Sequence, residues 1–303
     1  TSFAARYGIP DAHGSYQTLI DDARVDCVYL ALPNHLHLEW TARAARAGKH
    51  VLCEKPLAMN AREAAEAIAA AAKHEVVLLE AFMYRMHPQM TELARLLQAG
   101  TIGEVRMVEA SFGGNMRGGY SNYRMQRAAG GGALMDLGCY GVSLARLVAG
   151  AQAGQPFADP ASILATARIG DRSGVDEWSA AILDFDGPMI ATVICGNQVD
   201  ITSQVRIWGS EGSIELTEPW EAGKRDRPGS IVLRPPGTAG AENRVIEADR
   251  PLYALEADAF ADAVWHGRVP APVMTTDDSL GNMRALDQWR RSVGLRFAQD
   301  LDG

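Results

Sequence analysis

His50-Val51-Leu52-Cys53-Glu54-Lys55-Pro56 decides the fold class of this 303-residue chain. The apolar run 50–53 has the length and composition of a short buried strand, and the proline that follows forbids a helix. A lysine is therefore pinned where a strand ends. In open α/β sheets ligands lie beyond the carboxyl ends of the strands, so Lys55 is placed to act on one. A lone lysine beside a proline is more often a solvated loop residue, and the flanking sequence changes that balance.

Strand–helix units repeat on either side. Cys27 to Leu32 is a continuous apolar run, as expected of a strand buried on both faces. Pro33-Asn34 ends it, and Asn34 can cap a helix running to about Ala47, where Gly48 suits the stop. Asn60 and Glu63 form a capping-box pattern ahead of an alanine-rich helix to about His74, and Val76 to Glu80 reads as a third strand. Such alternation argues for a parallel sheet with crossover helices. The strand exits carry Asn34 and His37, then Glu54 and Lys55, then Tyr84 and Arg85. Polar groups converging at one sheet edge suit a polar ligand.

A second constellation is Gly130-Gly131-Gly132-Ala133-Leu134-Met135-Asp136-Leu137-Gly138-Cys139-Tyr140. Leu134, Leu137, Gly141, Leu144 and Val148 recur at helical spacing, which predicts a helix over 132–149 with a core stripe. Asp136 and Tyr140 are four apart and share another face. The triple glycine permits close backbone approach and frees amides at the helix N-terminus. An ordinary amphipathic helix with a surface Asp–Tyr pair is the plainer alternative.

These segments resemble the Gfo/Idh/MocA oxidoreductases, the relatives of glucose–fructose oxidoreductase and inositol dehydrogenase. Residues 47–58, the stretch Glu80-Ala81-Phe82-Met83-Tyr84-Arg85-Met86-His87-Pro88-Gln89, and residues 130–140 occur in the family's order and spacing. The resemblance covers nearly the whole chain. Tyr140 stands where sugar and dihydrodiol dehydrogenases carry tyrosine and inositol dehydrogenase-like members carry histidine. The resemblance implies hydride transfer between NADP or NAD and a secondary or anomeric alcohol of a sugar or cyclic diol. It implies Lys55 and Tyr140 as an acid/base pair, with Asp136 positioning the sugar or the tyrosine. Pro33, Asn34, His37, Glu54 and Pro56 would line the cofactor. Arg124, in Asn122-Tyr123-Arg124, would touch cofactor or substrate, with Tyr84 and Asn122 on the substrate side. A free tyrosine, with a pKa of about 10, is a poor base at neutral pH, and a neighbouring lysine cation is expected to lower it. Two alternatives stand beside this reading: an NAD-assisted glycosidase that oxidises transiently and eliminates, and a sugar- or nucleotide-sensing binding protein that kept the fold without the chemistry.

No Gly-x-Gly-x-x-Gly follows a strand in this chain, although a dinucleotide-binding fold carries that fingerprint in its first strand–helix turn. Phe3 to Pro10 resembles the tail of the family's second helix. The expectation is therefore a truncated Rossmann-like parallel sheet lacking the first strand–helix–strand unit. Its third family strand would fall near His13, strand 27–32 would be a bare edge, and cofactor binding would be weak.

From Glu104 the pattern changes to short strands, 105–112, 163–169, 178–185, 189–195, 204–208, 213–216 and 231–233, with hairpin signals at Asp186-Gly187-Pro188 and Gly209-Ser210-Glu211-Gly212. This predicts an α+β domain with a large, mostly antiparallel open sheet, and closing helices at about 253–266 and 277–296. The expected division is a dinucleotide-binding remainder over 1–100, a substrate and dimerisation domain over 101–275, and a C-terminal helix over 276–303 that returns to the first. Loop 113–129, with Asn115, Arg117, Tyr120 and Asn122, suits hydroxyl-rich ligands.

Composition narrows the class. Hydrophobic content of 47% and charge of 22% are ordinary for a globular chain. A net charge of −8 without a dense Lys/Arg run argues against nucleic acid or an anionic membrane surface as partner. No apolar stretch is read as approaching the roughly 20 residues that span a bilayer. Cys27, Cys53, Cys139 and Cys195 read as free core thiols in a reducing, cytoplasmic compartment. His35 and His37 lack partners at ligand spacing, so no metal is expected. Trp178 and Trp208 fall at alternating positions on the outward sheet face, through which the resemblance implies a homodimer or homotetramer.

Overall fold

The computed structural model describes residues 2–116, 119–224, 227–237, 240–267, 269 and 272–300. Arg117 lies outside the described residues. Two short helices, α1 (Ser2–Tyr7) and α2 (Tyr16–Ile20), lead into β1 (Cys27–Leu30). Helix α3 (His37–Arg46), β2 (His50–Glu54), α4 (Ala61–Lys73) and β3 (Leu78–Ala81) follow. The three strands form a parallel sheet in the order β1-β2-β3, with Leu30 beside Cys53 and Cys53 beside Glu80. Asn60 caps α4, its side chain accepting from Glu63 N. No strand forms near His13; the polar stretch between α1 and α2 contains no apolar run to bury. On the side of β1 away from β2 no strand pairs with it among the described residues.

Helix α5 (Pro88–Gln98) was not anticipated. Its signals are a proline in its first turn and Met90, Leu93, Leu96 and Leu97 buried at helical spacing. Strand β4 (Val105–Asn115) then opens the second domain. A π-helical turn, Leu134–Gly138, runs into α6 (Cys139–Gln152). Strands β5 (Ser162–Ile169), β6 (Asp176–Asp184), β7 (Ile190–Gly196), β8 (Gln198–Val199), β9 (Gln204–Gly209), β10 (Gly212–Leu216), β11 (Gly229–Arg234) and β12 (Glu242–Ile246) complete one sheet. Its order is β12-β11-β10-β9-β4-β7-β6-β5, with β8 on the end of β4. All pairings are antiparallel except β4 with β7, where Ala110 faces Val193. Strand β12 escaped notice because Glu242, Asn243 and Arg244 make it a polar edge rather than an apolar run.

The sheet's inner face, with Val108, Ala110, Val193, Val205 and Ile207 fully buried, packs on α6. Gly141 permits that approach, since a Cβ there would lie 2.4 Å from Val193 Cγ1. The outer face exposes Leu164, Trp178, Ile182 and Ile194, while Trp208 is half-buried. The stretch Arg127–Gln152 is long and apolar enough to cross a membrane, contrary to the sequence expectation, but most of it is buried as the core helix between sheet and first domain. Helix α7 (Leu252–His266) lays Phe260 against Leu52, Leu79 and Ala81 of the parallel sheet. Helix α8 (Thr276–Ser292) packs on α4 and β5. Arg85 and Arg146, both fully buried, meet on Asp278 of α8, which ties the two domains at one charged knot. Of the four unpaired cysteines, Cys27 is exposed and the other three are buried.

Candidate active site

The carboxyl ends of β1 and β2 open on a narrow cleft of about 20 Å³ lined by Leu32, Asn34, Glu54, Lys55, Pro56, Tyr123, Arg124, Gly130, Gly131 and Asp136. Strand β2 delivers Lys55, which precedes Pro56 through a cis peptide bond. The turn before α6 delivers Asp136 from the other domain. Lys55 Nζ donates to Asp136 O at 2.5 Å and to Asp136 Oδ1 at 3.1 Å. Arg124 Nε also donates to Asp136 Oδ1 at 3.1 Å. One carboxylate oxygen thus holds two cations on one wall of the cleft, with Glu54 close by. Charge-assisted bonds of this kind gain strength where water is sparse, and the Lys55 side chain is only 10% exposed.

Tyr140 lies one turn along from Asp136, and its ring centroid is 4.8 Å from Lys55 Nζ. The ring is packed among Phe82, Tyr84, Phe112 and Trp220. Its hydroxyl points to Met83 Sδ at 3.3 Å rather than to the lysine. The pair is therefore in contact, but through the ring face. Burial pushes the Tyr140 phenol well above its ordinary pKa, and the Lys55 cation only partly offsets this. The expectation that lysine would bring the phenol down is not met, because desolvation by the aromatic cage is the larger effect. Burial alone would depress the Lys55 ammonium, but Tyr140 and Asp136 facing it outweigh that loss and its pKa is raised.

Several residues expected at the ligand have other work. His37 is completely buried; its ring nitrogens lie 3.0 Å from Pro56 O and 2.8 Å from Leu32 O. It ties the exits of β1 and β2 together and is not among the residues lining the cleft. Asn34 does not cap α3. Its Nδ2 donates to Gly130 O at 2.8 Å, joining the β1 exit to the glycine loop. Pro33 sits between two lining residues without lining the cleft itself. Tyr84 is buried, with its hydroxyl 2.8 Å from Ser143 Oγ, and like Tyr140 it is not among the residues lining the cleft. Asn122 Oδ1 accepts from Arg124 N and fixes the turn that presents the arginine. Tyr123, which sequence reasoning passed over, lines the cleft with the Arg124 guanidinium 4.6 Å from its ring centroid. Its position next to an arginine ahead of three glycines was the available signal.

The lining suits the nicotinamide end of a dinucleotide. Leu32 and Pro56 offer apolar surface for a ring, while Glu54, Lys55 and Arg124 offer polar groups to an amide, a ribose or a carbonyl. Nothing in the described residues supplies a glycine fingerprint after a strand, so the lining speaks for that end alone.

Comparison with known proteins finds relatives along nearly the whole chain. A family model described as an oxidoreductase family with an NAD-binding Rossmann fold matches residues 1–82, and the GFO/IDH/MocA C-terminal domain matches residues 90–215. The NAD-binding family model is found over residues 1–82, and the expected truncation of that domain is not borne out by this match. D-xylose 1-dehydrogenase (NADP(+)) 2 of Haloferax volcanii is 34% identical over 100% of this chain and 88% of its own length. Trans-1,2-dihydrobenzene-1,2-diol dehydrogenase of Mus musculus is 30% identical over 98% of this chain and 86% of its own. A 3-ketoreductase from Actinomadura kijaniata, solved with NADP and TDP-benzene, superposes with a TM-score of 0.85 at 30% identity, covering 96% of this chain and 85% of that one. The parallel sheet, the large antiparallel sheet and these likenesses together place the chain in the GFO/IDH/MocA family of NAD(P)-dependent oxidoreductases.

Proposed function

We propose that the protein interconverts a carbonyl and a secondary or anomeric alcohol on a sugar or cyclic diol, with Lys55 and Tyr140 handling the proton and NADP or NAD as the redox partner. The observation that carries this reading is the cleft at the strand ends in which Lys55 Nζ is clamped by Asp136 and backed by the Tyr140 ring. When bound, the nicotinamide supplies or accepts the hydride. Leu32, Asn34, Glu54 and Pro56 form the wall on which it would rest, and Tyr123, Arg124 and Asp136 face them from the second domain.

The protein's own residues then manage charge. When a carbonyl carbon accepts a hydride, the π pair moves to its oxygen, which becomes an alkoxide and needs a proton donor within hydrogen-bond reach. With both pKa values raised, Lys55 and Tyr140 are both protonated near neutral pH. Two donors and no free base favour carbonyl reduction over alcohol oxidation in this state. Asp136 keeps the ammonium from swinging away, and Arg124 balances the carboxylate. The aromatic cage around Tyr140 excludes water from the donor side.

Association through the outer sheet face belongs to the same proposal. Leu164, Trp178, Ile182 and Ile194 form an exposed apolar row that a second copy would cover. Three buried, unpaired cysteines fit a reducing compartment. The test of the chemistry is a panel of keto-sugars, aldoses and dihydrodiols, assayed in both directions with each nicotinamide. Turnover of a sugar or diol pair supports the reading. Release of a leaving group with no net cofactor reduction would replace it with the glycosidase alternative.

A further inference from the structure

The three glycines before α6 are occupied by packing rather than left open for an anion. Gly132 has φ +119, and a Cβ there would lie 2.1 Å from Asp176 Oδ1. Asp176 opens β6 and is completely buried. Its Oδ2 accepts from Leu134 N at 2.6 Å, while Oδ1 has no hydrogen-bond partner among the described residues. Leu134 is the first residue of the π-helical turn that carries Asp136, and Asp136 N in turn donates to Gly132 O at 3.0 Å. The segment 132–136 is thus held at two points by the same carboxylate: at Leu134 by a hydrogen bond, and at Gly132 by a close approach that only glycine permits.

From this geometry we infer that Asp176 is a positioning residue for the reaction: it fixes the backbone of 132–136 so that Asp136 O and Oδ1 both meet Lys55 Nζ. Asp176 touches neither substrate nor cofactor and acts through Asp136. A buried carboxylate is a costly way to satisfy one amide, since a neutral side chain would do so with less desolvation. The charge also lies in the field of the site. Asp136, from the segment it holds, opposes its ionisation, Arg290, from α8, favours it, and burial pushes its carboxyl up to about 7. The inference rests on the role proposed for Lys55, and the experiment separates the two.

The chain has four lysines, at 49, 55, 73 and 224, so the Lys55 side-chain amine can be followed by NMR in lysine-labelled protein. Asp176→Ala is expected to lower kcat at least about tenfold, as misplacement of a reacting group does, with KM for the nicotinamide little changed. The same substitution is expected to move the Lys55 amine resonance. Asp176→Asn, which can still accept from Leu134 N through its amide oxygen, is expected to restore most of both. A folded Asp176→Ala protein with wild-type kcat and an unmoved Lys55 resonance overturns the inference. If Asp176→Ala does not fold, Asp176→Ser, too short to reach Leu134 N, is read in the same way and against the same outcomes. Lys55→Met is run alongside. If it retains full turnover, the proposed role of Lys55 falls, while the resonance shift still reports whether Asp176 places Asp136.

Discussion

Lys55 Nζ and Asp136 Oδ1 lie 3.1 Å apart although 81 positions separate them in the chain. One residue stands at the exit of a parallel strand and the other on the turn before the central helix of the second domain. Their contact is where the two domains make a site, and Arg124 completes it from the other side of the same oxygen.

Replacing either proton-handling residue tests the chemistry directly. Lys55→Met and Tyr140→Phe are each expected to cut kcat for carbonyl reduction by about two orders of magnitude, the usual worth of a general acid. Both should leave the fold intact by circular dichroism. Steady-state kinetics at saturating nicotinamide read the effect, and full turnover in both variants removes the pair from the mechanism.

The raised pKa values of Lys55 and Tyr140 assign a direction to the pH profiles. A protonated donor serves reduction, so that rate should stay level through neutrality and fall only at alkaline pH. Oxidation needs a deprotonated acceptor, so its rate should climb as pH rises. Profiles of kcat for the two directions with one substrate pair check this. An oxidation rate that is level below pH 7 contradicts it.

Stability should decline as pH rises from about 4 through 8. Burial pushes the carboxyls of Glu80 and Asp176 up to about 7 and that of Glu256 up to about 8. A carboxyl whose folded pKa lies above its unfolded value binds its proton more tightly when folded. Its contribution is therefore whole below about pH 4 and is lost as pH rises through 7 to 8. At 1.36 kcal/mol per unit, Glu80 and Asp176 each account for roughly 3–4 kcal/mol. Urea melts at pH 5.5 and 8.5 should show the higher midpoint at 5.5.

Gly132→Ala should destabilise the protein by about 2 kcal/mol or more, because it combines a backbone angle L-residues rarely adopt with a clash against Asp176. Thermal melts measure it. Gly154→Ala is the control: it also has positive φ, but open space surrounds its would-be Cβ, so it should cost less.

Asp278→Asn should be among the most damaging single changes away from the cleft. It leaves the guanidinium groups of Arg85 and Arg146 buried without their shared carboxylate, and breaking a buried pair costs about 3–5 kcal/mol. Denaturant unfolding of the variant reads this directly.

Periodicity was enough to find most elements. The runs at 27–30, 50–53 and 78–81 form strands as their composition predicts, although Cys27 and Tyr29 leave one face of the first exposed rather than buried on both, and the stripe through Leu134, Leu144 and Val148 marks a core helix. Lys55 was legible from the strand end and the proline beside it, while Asp136 and Arg124 took their expected roles from the family resemblance. What local pattern could not reveal was the division of labour among nearby polar residues. His37 and Tyr84 look like ligand-facing groups in sequence, yet they tie elements together inside the protein, while Asn34 both lines the cleft and holds the glycine loop. Asp176 looked like nothing in particular, yet it holds the turn that presents Asp136.

The amino-acid sequence by itself determined the two-domain α/β architecture and the identity of the charged groups near the strand ends, because burial periodicity and backbone-restricting residues act over a few positions. The tertiary structure alone decided which of those groups face the cleft, how Tyr140 is turned, and how far its phenol is desolvated. Those outcomes depend on side chains brought together from positions up to about a hundred residues apart, such as Ser111 and Trp220 or Asn34 and Gly130. No local rule encodes which polar atom meets a partner and which is left facing the ligand.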